Sequence, residues 1–435
     1  MYKLYFFFFL LLISIISCKT TEPTHPGPDP KITLSVEDVS CTGAWLNLKL
    51  ENVSLPANLT IQLNNNSLNQ INLLTSDSTI FIDSLLPNKN YSFKASIFQN
   101  NKSYSSENIA TVTMDTTSHN FTWQKLEFGD YTSNILFDVA IIDENNIWAG
   151  GEIYLIDSTG QRDPTHYNAV HWDGLKWEVL RIPTRRVTGD ITSAPIRAIY
   201  AFNKDDIWTF SDAGSYSHWD GKVWKTEYIN LINGSGYKFW GTNSSDLYLG
   251  LYRGQILHYD GLNWANINTG TDLNINDIYG SWNNKTNQYD IMLVASNVLE
   301  SFDRQILKIS GQSVSKLNNN PIAYTLSSIW FKPNRKYYVV GAGIYEKNNL
   351  NEDNWKNNIS DITTYYTYSI RGNDLNDIFV IGGFGEVLHF NGMNWKSFMS
   401  ATRIEGNLYS VCIKNNLVIA VGYGSTKGII FIGKR

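Results

Sequence analysis

The chain has 435 residues, more than one ordinary core accommodates, so length alone predicts about two or three domains. Hydrophobic residues make up 43% and aromatics 14%, and abundant Asn, Gly, Thr and Tyr lean the composition toward strands and turns. A formal net charge of -5 with 17% charged residues leaves no basic footprint, which excludes nucleic acid from the expected partners.

Residues 1–18 read MYKLYFFFFLLLISIISC, with a lysine near the start and an apolar run from Leu4 to Ile16 that is too short to span a bilayer comfortably. This pattern predicts a signal peptide. Its end, Ile15-Ile16-Ser17-Cys18, resembles the lipobox of bacterial lipoproteins. The resemblance implies that Cys18 is lipidated, becomes the mature N-terminus and anchors the protein to a membrane of the bacterial cell envelope, at the outer membrane or cell surface. Residues 19–30, KTTEPTHPGPDP, are rich in Pro and Thr without apolar periodicity and predict an extended tether. The remaining cysteines, Cys41 and Cys412, fall in different predicted domains and are expected as buried thiols rather than a disulfide.

Residues 31–116 alternate in the manner of a β-sandwich, through ITLSVEDV, AWLNLKLEN, LTIQLN, STIFIDSL, NYSFKASIFQ and ATVTMD. The stretch LLPNKNYSFKASI, Leu85 to Ile97, carries a Leu-x-Pro-x-x-x-Tyr pattern that resembles the fibronectin type III family. The resemblance implies that Tyr91 sits at the corner before strand F and that Trp45 is the core tryptophan of strand B. Such modules serve mostly as spacers or binding surfaces.

From residue 121 to 435 one unit repeats. HWDGLKW (His171 to Trp177) returns as HWDGKVW (His218 to Trp224), HYDGLNW (His258 to Trp264) and HFNGMNW (His389 to Trp395). Asp-Gly or Asn-Gly between alternating runs predicts a hairpin with a type I′ turn, whose two central residues both need positive φ. The closing residues Trp177, Trp224, Trp264, Trp355 and Trp395 are 47, 40, 91 and 40 apart, and the long gap holds a degenerate unit turning at Ser310-Gly311. A period of about 40 to 45 residues with four strands per unit is a propeller signature. The pattern resembles bacterial β-propeller repeats of the DIWAVG…HWDGxxW kind.

Naming the four strands of a unit A to D, seven A strands are expected, near Leu136–Ile141, Ile196–Tyr200, Tyr237–Trp240, Ile275–Tyr279, Leu326–Trp330, Tyr368–Arg371 and Tyr409–Ile413. The last unit stops at its C strand, whereas FTWQKLEF, Phe121 to Phe128, reads as a stray D strand with Trp123 in the closing position. The expected fold is therefore all-β, a fibronectin III-like sandwich followed by a seven-bladed propeller whose last blade is completed by an N-terminal strand.

The four repeated histidines do not predict a metal. Each lies on the third strand of a different blade, so they cannot converge within the ~2 Å reach of one ion. The repeated tryptophans read as wedges between blades. The Asp-Gly turns do not match the Asp box of sialidase-type propellers, Ser-x-Asp-x-Gly-x-Thr-Trp, because Asp and Gly are adjacent here. Nothing in the sequence implies a cofactor.

Function is expected where the repeat is broken. The B-C loop from Glu152 to Tyr167 and the D-A connection from Arg181 to Pro195 are insertions on one face, joined there by the D-A loops Lys356–Tyr366 and Lys396–Asn407. Arg162, Tyr167, Arg185, Arg186, Tyr365 and Tyr366 are the candidate binding residues. The expected function is that of a lipid-anchored, extracytoplasmic binding protein presenting this face to a protein or glycan. The alternative is a glycosidase or lyase, for which Asp157, Asp163, Asp190 and Glu405 are the acids on offer.

Overall fold

The computed structural model describes residues 28–230, 236–297, 303–357 and 362–435. The expected signal peptide, Cys18 and most of the Pro/Thr tether lie outside the described residues, as do residues 358–361 of one expected loop. Strands dominate, and the one helix among the described residues is the four-residue Met399–Thr402.

The chain divides into two units. The first takes the chain up to Glu37, Leu46–Phe81 and Asn90–Thr111, and the second takes Asp38–Trp45, Ile82–Lys89 and Val112–Arg435. Two antiparallel sheets account for the first. Lys31–Val39, Ala44–Glu51 and Asp77–Ile82 pair in that order, and Asn66–Leu73, Ala57–Leu63, Asn90–Gln99 and Lys102–Ser105 form the other, with Ile109–Val112 also pairing with Asn90–Gln99. Alternate residues point inward, as the pleat requires: Leu46, Leu48 and Leu50 on one strand, Phe93, Ala95 and Ile97 on another, are all buried.

The second unit is a ring of four-stranded antiparallel sheets in the β-propeller manner. The A strands are Ile135–Asp143, Ile196–Asn203, Gly236–Asn243, Ile275–Asn283, Leu326–Lys332, Thr367–Asp374 and Gly406–Lys414, and each opens a sheet paired in the order A-B-C-D. We number the sheets in that order. In the seventh, the chain ends on the C strand Lys427–Lys434, and the fourth place is taken by Thr122–Phe128, paired from Gly428 with Phe128 to Lys434 with Thr122. The first and seventh sheets share a core, with Leu136, Val139 and Ile147 packed against Ile419, Val421 and Ile430, so the ring has no open seam.

The two ends of the ring segment are tied where it closes. His119, just before the completing strand, places its Nδ1 2.8 Å from Nδ1 of buried His389 and its Nε2 2.8 Å from Asn394 Oδ1. The terminal Arg435 donates to Asp377 Oδ2 at 3.0 Å, and Asp377 Oδ1 lies 3.0 Å from His389 Nε2.

The repeated turns differ from the expected type I′ geometry. Gly174, Gly221, Gly261 and Gly392 have φ between +85° and +96°, but the preceding Asp173, Asp220, Asp260 and Asn391 are not in the left-handed region. The flanking residues, Trp172 with Trp177 for example, pair directly across a four-residue loop. The side chain supplies the reason. Asp260 Oδ1 accepts from the N–H groups of Leu262 at 2.8 Å and Asn263 at 2.7 Å, and Asp173, Asp220 and Asn391 repeat both bonds in their own turns. The aspartate works as an Asx cap, and only the glycine needs positive φ. These bonds hold the carboxyls of Asp173 and Asp260 below their ordinary range.

Each repeated histidine stacks flat on the aromatic residue opposite it on strand B: His171 on Trp148 at 3.9 Å, His218 on Trp208 at 4.2 Å, His258 on Tyr248 at 4.3 Å and His389 on Phe379 at 4.5 Å. Nε2 of each meets an Asn or Asp two residues before that ring, at 2.8–3.0 Å. Two of the other sheets fill the position with a different polar pair, whereas the seventh sets Ile419 opposite Ile432. The fourth uses Asp290 with Lys308 at 2.6 Å, and the fifth inverts the charges, Lys336 with Glu346 at 2.9 Å. The closing tryptophans reach the preceding sheet: Trp177 lies 6.1 Å from Phe128, Trp224 6.0 Å from Trp148, Trp264 6.3 Å from Trp208 and Trp123 5.3 Å from Phe398. Cys41 is buried and Cys412 half-buried, both as free thiols.

Candidate functional site

All seven A strands carry a β-bulge near their start, after one to three paired residues. Phe137, Arg197, Tyr237, Asn276, Ser327, Tyr368 and Tyr409 are skipped in the register with strand B. A bulge re-aims side chains and increases local twist. Here the seven skipped residues converge, lining one cavity of about 340 Å³ at the axis. Because each A strand begins at a D-A connection, the cavity opens on the face that bears the inserted loops.

Six of the seven residues that follow the bulges are polar in otherwise apolar strands, Asp138, Lys238, Asp277, Ser328, Ser369 and Ser410, the exception being Ala198, and they form the floor. Asp277 is buried, and Arg371 grips it with two bonds of 2.8 Å, Nη1 to Oδ2 and Nη2 to Oδ1. Asp277 also accepts from Ser328 Oγ and from the N–H groups of Ile278 at 3.0 Å and Ile329 at 3.1 Å. Burial works against its ionisation, but Arg371 outweighs that cost and holds the carboxyl below its ordinary range. Opposite, buried Asp138 accepts from Lys238 Nζ, from Ser410 Oγ at 2.7 Å and from the N–H groups of Val139 and Ile199. Lys238 also donates to Ser410 Oγ at 2.9 Å. Two ion pairs therefore close the axis.

Above this floor the wall is largely aromatic. Tyr366 and Tyr368 meet edge to face at 5.0 Å, Tyr368 and Tyr409 at 5.2 Å, and Tyr409 stacks with Phe137 at 6.2 Å. Arg197 covers Phe137 at 3.9 Å while bonding Asp212, Nε to both carboxylate oxygens at 2.8 Å. Burial, reinforced by Tyr409, pushes the Tyr368 phenol up to about 12, and burial also raises those of Tyr366 and Tyr409, so all three are neutral. The site can surround a small neutral group with ring faces and hydroxyls. Its charges are committed to one another.

Of the six expected binding residues, only Tyr366 lines this cavity. Tyr365 lies beside it against Phe384 at 5.2 Å, and the two tyrosines share an adjoining cleft. Arg162 covers Tyr131 at 4.8 Å, and Tyr167 donates to Asp163 Oδ2 at 3.2 Å beneath Arg181. Arg185 is spent on backbone carbonyls, Thr226 at 3.1 Å and Gly189 at 3.0 Å. Arg186 is exposed in the short hairpin of Thr184–Arg185 with Ile191–Thr192. The acids considered for catalysis serve their own loops: Asp157 caps Thr159 and Gln161, Asp163 binds Arg181, Asp190 accepts from Thr188, and Glu405 from Ser425. The signal missed in the sequence is the charged residue inside four of the apolar A strands: Asp138 in ILFDVA, Lys238 in GYKFW, Asp277 in INDIY and Arg371 in YSIRG.

No family model matches the chain, and no curated protein matches it in sequence. Solved structures share its fold. YCF48 bound to D1 peptide is 16% identical over 74% of this chain and 99% of that one, with a TM-score of 0.55. YCF48 from Cyanidioschyzon merolae is 14% identical over 71% and 98%, with a TM-score of 0.50. The WD40 β-propeller domain of Doa1 is 11% identical over 72% and 97%, with a TM-score of 0.48. The likeness is one of fold, a β-propeller-like ring.

Proposed function

We propose that the chain is a non-enzymatic binding protein of the bacterial cell envelope, anchored through Cys18, in which a fibronectin III-like module is followed by a seven-bladed propeller that presents its loop-bearing face to a protein partner. The observation that carries this reading is the convergence of seven bulged residues into an aromatic cavity on the face where the insertions fall. A structural neighbour holding a bound peptide supports a protein as the partner. The strand orders of the first unit, three strands in one sheet and five in the other, support the fibronectin III reading. Arg162, Tyr167, Arg185, Arg186 and Tyr365 are then rim contacts, with Tyr366 at the cavity itself.

Polysaccharide cleavage fits the site less well. Glycoside hydrolysis needs a carboxylic acid that keeps its proton, whereas Arg371 holds Asp277 ionised, and Asp138 is tied to Lys238. The test is capture of partners from envelope extracts by the wild-type protein, a Tyr368→Ala/Tyr409→Ala variant and a variant shortened between Asp157 and Asp163, with thermal unfolding as the control on folding. The cavity variant is expected to lose the partner and the loop variant to hold it less tightly. Equal capture by all three would remove this face from the function. Cys18→Ala is expected to move the protein from the membrane to the soluble fraction.

A further inference from the structure

The axial cavity has a neighbour. A cleft of about 370 Å³ lies between the fifth and sixth sheets, lined by Tyr324, Ala342, Gly343, Ile344 and the stretch Thr363 to Tyr366. Tyr366, half-buried, borders both spaces. Two large aromatic side chains of its lining stand exposed, Tyr324 at 52% and Tyr365 at 38%, and Phe384, 54% exposed, lies 5.2 Å from Tyr365. Apolar surface of this kind, continuous with a cavity, marks an interaction site more often than isolated exposed residues do.

We infer that the ligand of this face is an extended peptide segment that seats a neutral aromatic side chain in the axial cavity and a second apolar side chain in the cleft beyond Tyr366. The inference rests on the binding role proposed above and adds the chemistry of what is bound. Charge excludes an ionic group from the cavity: the cations Lys238, Arg371 and Arg197 are matched by Asp138, Asp277 and Asp212. Hydrogen bonding disfavours a sugar. A buried sugar ring needs a partner for each hydroxyl, and the floor carboxylates already accept from the backbone, from serines and from their own cations. What remains open is the ring faces and neutral phenol hydroxyls of the wall, where Phe137, Tyr366, Tyr368 and Tyr409 already meet one another at 5.0–6.2 Å, the separation at which a further aromatic ring is also attracted. The geometry of an extended chain supplies the second contact. Two residues advance it by about 6.6 Å and return the side chain to the same side, so positions n and n+2 straddle Tyr366.

The test is titration of the full protein with acetylated, amidated tripeptides, Trp-Ser-Leu, Ala-Ser-Leu and Trp-Ser-Ala, and with methyl β-glucoside, read by ligand-observed saturation-transfer NMR. Trp-Ser-Leu is expected to bind, to weaken at least tenfold when Ala replaces its Trp or when the protein carries Tyr409→Ala, and to be unchanged by Leu175→Ala on the opposite face. Ala342→Trp, which fills the cleft, is expected to weaken Trp-Ser-Leu several-fold while leaving Trp-Ser-Ala as it was. Binding of the glucoside in preference to the tripeptides, tripeptide binding indifferent to Tyr409→Ala, or no binding by any probe would each overturn the inference. If partner capture still depends on Tyr368 and Tyr409 while every tripeptide fails, the binding role stands and only this peptide chemistry falls.

Discussion

Replacing Arg371 with methionine is expected to lower the unfolding free energy by about 3–5 kcal/mol, the usual effect of removing one partner from a buried ion pair. Burial would then push the Asp277 carboxyl up with no guanidinium to oppose it, and Ser328 and two backbone N–H groups would be its remaining donors. The loss is read from urea unfolding, as a lower midpoint at unchanged slope. The double variant Asp277→Leu/Arg371→Met removes both charges and is expected to recover most of the loss, because the penalty belongs to the orphaned carboxylate rather than to the absent contact. If the single variant is as stable as the wild type, the pair is solvated in solution and the closed axis described above is wrong.

Trp208→Ala is expected to cost a similar amount, about 3–5 kcal/mol, the range for truncating a large buried aromatic. Trp208 is only 2% exposed and joins two sheets. Its ring stacks with His218 at 4.2 Å and Tyr216 at 5.3 Å in its own sheet and meets Tyr259 at 5.3 Å in the next, while Nε1 donates to Asp206 and Ser244 at 3.1 Å. Truncation opens a cavity at this junction and strips a donor from Asp206. Asp220→Asn in the adjacent turn is the contrast. Asn391 already makes both capping bonds in the sixth sheet, so that change is expected to leave the thermal midpoint nearly unmoved. A large loss on Asp220→Asn would mean that the charge, and not the cap, holds the turn.

The repeat made the ring legible, because hairpin turns, alternating runs and a closing tryptophan recur at a spacing that only a stack of similar sheets explains. The histidines were legible as structural for the same reason, and the stacking on Trp148, Trp208, Tyr248 and Phe379 supplies the contact they make. The turn type was not, since Asp-Gly fits both a two-residue turn and a four-residue loop capped by the aspartate. The cavity was not legible either. A bulge is a property of pairing between two strands, so the shared offset of Phe137, Arg197, Tyr237, Asn276, Ser327, Tyr368 and Tyr409 appears only once the register is known. Asp277 and Arg371 stand 94 residues apart, in the fourth and sixth sheets, and no local pattern joins them. Irregular loops drew attention to the face on which the cavity opens, but Arg162, Tyr167 and Arg185 are occupied by neighbours of their own.

The central claim is that the regular motif builds the ring and the bulged mouth at its axis does the binding. Amide hydrogen exchange of the captured complex against the free protein separates the two. Protection is expected over the starts of the A strands, around Phe137, Asn276, Tyr368 and Tyr409, and over Thr363 to Tyr366, with the turns at Gly174, Gly221, Gly261 and Gly392 unchanged. Protection confined to those turns, with the axial mouth exchanging as in the free protein, would contradict it.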